Sequence, residues 1–143
     1  MNSNHQSRLE SVEITQSPIH PQEYIDRVRK HSYGAVVTFV GSVRDLSSGG
    51  KKALFLENDI SAGELAKREL QHVADEIRAR WQLEDVAICH RLGRLGVGEI
   101  TLVVAVAAPH RQEAFQACQY TIDRFKEVVS QWEKEVLEDD EGS

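Results

Sequence analysis

A run of nine residues from Ile100 to Ala108, apolar except for Thr101, stops at Pro109. After His110 and Arg111 an amphipathic pattern begins. This switch constrains the fold more than any other segment. The run is rich in β-branched side chains, which suit a pleated strand. Ala114, Phe115, Cys118, Ile122, Phe125 and Val129 then recur at helical spacing. The start of a helix offers free backbone N–H groups and the positive end of its dipole, and both attract anions. Arg111 adds a planar fork for phosphate or carboxylate, and His110 a group able to carry a proton near neutral pH. An arginine in a first helical turn equally serves as a solvated charge, so the pair does not decide a function by itself.

The remaining elements mix strands and helices without strict alternation, which predicts an α+β fold. Leu9 to Thr15 reads as a short strand, and Pro21 opens a helix to about Lys30. Ala35 to Val43 reads as a central strand, followed by a Ser/Gly-rich loop over 44–52 and a strand from Ala53 to Glu57. Ser61 to Glu64 fits a capping box, and Ala66, Leu70, Val73, Ala74, Ile77 and Trp81 mark a helix over about 62–80. Val86 to His90 is a further strand. Gly93, Gly96 and Gly98 lie between it and the 100–108 strand, and read as a turn; a dinucleotide fingerprint requires a strand followed by a helix.

With 143 residues the chain is expected to form a single domain over 9–137, with a disordered stretch at 1–8 and an acidic tail at 138–143. The net charge of −6 argues against a general nucleic-acid binder. No apolar run approaches the ~20 residues that span a membrane, and the polar first residues lack the core of a signal peptide; a cytoplasmic location is expected. Cys89 and Cys118 have no metal-ligand spacing and read as buried free thiols. No metal site is expected.

Lys126 lies near the far end of the last helical pattern. If that helix is continuous, Arg111 and Lys126 are ~22 Å apart along its axis. They then serve different sites, or a site shared between the subunits of a symmetric dimer.

Six short segments, in order, resemble the large, catalytic subunit of molybdopterin synthase: Gly34 to Asp45, Ile88 to Gly93, Val97 to Glu99, Pro109 to Phe115, Ile122 to Lys126 and Trp132 to Glu135. The resemblance implies an α/β-hammerhead fold and a homodimer. A small sulfur-carrier subunit docks at each end, giving a heterotetramer. It also implies an activity: sulfur passes from the carrier's C-terminal Gly-Gly thiocarboxylate to cyclic pyranopterin monophosphate, forming the dithiolene of molybdopterin in molybdenum cofactor biosynthesis. No permanently bound cofactor is implied.

Matched position by position, the resemblance implies substrate binding by Arg44, with Ser42 and Val43 in the same loop, and by His110 and Arg111. Lys126 matches an essential catalytic lysine. Glu133, Lys134 and Glu135 match a further substrate-binding segment, but Glu133 stands where the family usually has lysine. That exchange should weaken binding of an anion unless Lys134 substitutes for it. The alternative expectation is a catalytically weakened paralogue that binds pterin and carrier, or acts in assembly.

Overall fold

The structure is a computed structural model that describes residues 11–30, 32–45, 49–83 and 85–138. The expected disorder at 1–8, the strand start at Leu9, the middle of the 44–52 loop and tail residues 139–143 lie outside the described residues.

The element order is β1 (Val12–Thr15), α1 (Pro21–Val28), β2 (Ala35–Ser42), β3 (Ala53–Asn58), α2 (Gly63–Trp81), β4 (Val86–Arg91), β5 (Gly93–Gly96), β6 (Ile100–Ala108), α3 (Arg111–Val128) and β7 (Glu133–Leu137). Short 3-10 turns at Ile60–Ala62 and Val129–Gln131 precede α2 and follow α3. The strands form two sheets. The larger has the order β1-β4-β6-β2 and the smaller β5-β3-β7. Only the β1–β4 pair is parallel among the described pairings. This is the α+β class expected, in a two-sheet architecture.

The apolar run becomes β6 because both its faces are covered, and such strands lose the usual polar alternation. Leu102, Val104, Val106 and Ala108 join the core under α2 and α3, with Leu70, Ile77 and Phe125. Val103, Ala105 and Ala107 face the other way, with Tyr24 and Val28 of α1. Truncation of the larger of these buried side chains, such as Leu70, Ile77 or Leu102 to alanine, costs roughly 2–5 kcal/mol each.

Three local expectations are corrected. β2 is an edge strand, half-buried at most positions, rather than a central one; β-branched composition marks a strand without marking its place in a sheet. The Ser61–Glu64 capping box does not form. Asp59 instead accepts from the backbone N and the Oγ of Ser61, at 2.9 and 2.8 Å, and caps the 3-10 turn. The glycine segment contains a real strand, β5, and only Val97 and Gly98 make the turn to β6. Gly98 has φ +89° there, a conformation that a side chain would strain.

Candidate active site

Arg44 lies two residues past β2, in a loop fixed from three sides. The Val43 side chain is buried with Leu56 and Leu95. Its N–H donates to Glu99 O at 3.0 Å, and its carbonyl accepts from Gly98 N at 2.9 Å. The turn that supplies those partners is braced in turn. Glu99 accepts from Gly96 N at 2.7 Å and from Arg91 Nη1 at 3.2 Å. These bonds, the Gly96 N–H foremost, hold the Glu99 carboxyl below the usual carboxylate range. Arg91 and Glu99 are therefore supports that a search for ligand-binding cations passes over. Their place in the motif series was the available signal.

The described residues form a cavity of about 440 Å³ whose walls include Ser42, Val43, Arg44, Lys126, Glu133 and Glu135. Thus six of the nine candidate residues meet, from β2 and its following loop, the last turn of α3, and β7. Lys126 and Arg44 are exposed and Glu133 is half-buried. Burial, together with the like charge of Glu135, raises the Glu133 carboxyl above its ordinary range, while Lys126 pulls it back. An acidic group that holds its proton more readily than usual therefore sits near an ammonium in one cavity.

Lys134 is placed elsewhere. Residues 133–137 form a strand, so successive side chains point to opposite faces. Lys134 is opposite Glu57 across the β3–β7 pair, and Glu57 is opposite Arg94. The Arg94–Glu57 ion pair spans 3.8 Å. Lys134 lines a separate cleft that includes Glu57 and Arg94. Lys134 therefore does not share the cavity wall with Arg44 and Lys126.

His110 and Arg111 are also apart from Lys126. α3 is one continuous helix from Arg111 to Val128, with His110 as its N-cap residue and no side-chain cap. The ~22 Å helical separation therefore holds within one chain. The pair lines a second cavity of about 800 Å³ with Gly34, Pro109, Phe115 and Gln116. Gly34 is required by close approach: its N–H donates to Pro109 O at 3.2 Å, and a Cβ would lie 2.8 Å from that oxygen. Phe115, expected in the core stripe, is 59% exposed beside this cavity.

Cys89 and Cys118 are buried, and burial pushes both thiols up to about 11. They remain thiols at neutral pH and are poor nucleophiles. Among the described residues, no group of three or more His, Cys, Asp or Glu side chains is placed to hold a metal ion. No helix is long and apolar enough to cross a membrane, again among those residues.

His90 belongs to the Ile88–Gly93 segment, where the resemblance implies no role for it, yet it lies behind the Lys126 cavity with no exposed surface. Its ring approaches Thr101 O through Nδ1 at 2.8 Å, and Trp132 Nε1 through Nε2 at 2.9 Å. A carbonyl only accepts and an indole N–H only donates, so the proton resides on Nδ1. Burial pushes the imidazole down to about 4 from an ordinary value of 6.5, against the Thr101 hydrogen bond. The unfolded chain thus takes up a proton between pH 6.5 and 4 that the folded ring refuses. Stability from this group is complete above 6.5 and falls as pH drops through that window. Denaturant titrations at pH 7 and pH 4 should show the wild type losing about 3 kcal/mol more than His90→Gln.

A model of the MoaE protein family matches residues 14–128. The chain is similar to the molybdopterin synthase catalytic subunit of Thermoplasma volcanium, with 41% identity over 133 residues, 92% of this chain and 95% of that protein. It is 39% identical over 133 residues to the Bacillus subtilis molybdopterin synthase catalytic subunit, covering 93% of this chain and 83% of that one. Its fold is similar to the crystal structure of molybdopterin synthase from Staphylococcus aureus, with a TM-score of 0.79, 36% identity, and coverage of 89% of this chain and 91% of that chain.

Proposed function

Since the chain belongs to the MoaE protein family, as does its likeness to molybdopterin synthase catalytic subunits attest, we propose that it catalyses sulfur transfer to a pterin in molybdenum cofactor biosynthesis. The sulfur donor is the C-terminal Gly-Gly thiocarboxylate of a small carrier subunit, and the acceptor is cyclic pyranopterin monophosphate. A dithiolene holds two sulfurs, so each pterin consumes two carriers. Each carrier ends as a carboxylate, its new oxygen coming from water. The working assembly is a homodimer with a carrier at each end, and no resident cofactor is needed.

The observation that carries this reading is the cavity shared by Arg44 and Lys126. Arg44 provides a fork for an anionic group of the pterin. Lys126 stabilises the charge that develops as the thiocarboxylate carbon becomes tetrahedral, or passes a proton to it. His110 and Arg111 contribute from the other subunit, because one helix separates them from Lys126 in their own chain. The test mixes the purified chain with thiocarboxylated carrier and cyclic pyranopterin monophosphate. Dithiolene should form; intact carrier binding without product would establish the binding or assembly reading instead.

Glu133 favours that second reading, since it adds negative charge to the cavity. Glu133→Lys reverses the charge beside Arg44 and Lys126. It is expected to lower the KM for the pterin by roughly tenfold, about 1.4 kcal/mol. An unchanged KM in steady-state assays would mean that this side chain does not face the substrate.

A further inference from the structure

We infer that His90 is a positioning residue, whose imidazole holds Phe125 and Trp132 in place and thereby sets Lys126 and Glu133 on the walls of the cavity. The inference rests on the reading of that cavity as the reaction site.

The two anchored aromatics are each one residue from a cavity residue. Phe125 precedes Lys126 at the end of α3, and Trp132 precedes Glu133 at the start of β7. The Phe125 ring meets His90 edge-on at 5.0 Å between centroids. Trp132 is held by its backbone, which donates to Val129 O and accepts from Asp59 N, both at 3.0 Å. Its indole bond to His90 reaches the large sheet. His90 is itself fixed to β6 through Thr101 O. Thr101 Oγ1 in turn accepts from Asn58 Nδ2 at 3.3 Å, and that amide also donates to Arg91 O at 2.9 Å. One ring thus ties the large sheet to the end of α3 and to the residue that precedes β7, where the Lys126 cavity forms.

An apolar residue would fill this volume without the cost of burying a polar ring. What it could not supply is direction. Two hydrogen bonds of fixed sense allow one ring orientation and one indole position, whereas packing alone tolerates shifts. Misplacement by about 1 Å at a reacting group is worth up to 10²-fold in rate.

The test uses the full chain with thiocarboxylated carrier and cyclic pyranopterin monophosphate. His90→Leu and Trp132→Phe should each lower kcat roughly tenfold and leave KM within about twofold, and the double variant should be no worse than either. His90→Gln, whose Oε1 can still accept from the indole, should regain most of the loss. The Trp132 indole N–H resonance, assigned by its absence in Trp132→Phe, should move in His90→Leu and stay in His90→Gln. Wild-type kcat in folded His90→Leu overturns the inference; should that variant not fold, wild-type kcat in Trp132→Phe does so. Wild-type chain that makes no dithiolene overturns the functional reading instead. The backbone amide resonances of Lys126 and Glu133 then decide: shifts in both support positioning, and their constancy overturns it.

Discussion

Lys126→Ala is expected to lower turnover by at least about 10²–10³-fold, the range seen when one preorganised donor to a developing charge is removed. The side chain is exposed at the end of α3, and the core helix face there is formed by Phe125 and Val128. Its removal should therefore leave stability within about 0.5 kcal/mol of wild type. Carrier binding, followed by calorimetry, should persist. Lys126→Arg refines the assignment. Arginine keeps the charge but does not give up its proton. Activity restored by Arg points to charge stabilisation, and activity still lost points to proton transfer or nucleophilic attack.

The second large effect concerns the distance along α3. Arg111→Ala and Lys126→Ala should each be nearly inactive as homodimers, for different reasons. If the site is composite across a two-fold axis, a mixed dimer has one site with both defects and one with neither. Random reassembly of equal amounts makes half the dimers mixed, each with one of its two sites intact. Activity should then recover to about a quarter of wild type. The measurement is dithiolene formation after the two inactive variants are unfolded together and refolded. Failure to recover, with mixed dimers demonstrated by mass spectrometry, would place both residues in the same chain's site or in unrelated sites.

Much of the fold was legible because burial and periodicity agree. β6 is continuous in the sequence because two layers cover it, and α2 shows its stripe from Ala66 to Ile77 because one face packs on the sheet. What was not legible depended on partners distant in sequence. β2 and a central strand have the same β-branched composition, and only the pairing tells them apart. Ser61 carries the signature of a helix cap, but Asp59 competes for its N–H and wins.

The candidate site divides in the same way. Arg44 and Lys126 were identifiable as cations near element ends, and the resemblance supplied their roles. Their meeting in one cavity, from segments more than eighty residues apart, is a tertiary fact. The placement of Lys134 depends on secondary structure: as a strand residue next to Glu133 it lies on the opposite face, across from Glu57. His90 was hidden because a histidine within an apolar strand gives no sign of its partners. Those partners, Thr101 and Trp132, lie 11 and 42 residues away.

The most direct test of the central claim follows the sulfur atom itself. Carrier bearing the thiocarboxylate is incubated with this chain, with and without cyclic pyranopterin monophosphate, and the carrier and pterin masses are read over a single turnover. The account predicts that the carrier's C-terminus becomes a carboxylate only when chain and pterin are both present, with the lost sulfur recovered on the pterin. A carrier that binds this chain and keeps its thiocarboxylate in the presence of the pterin would contradict it.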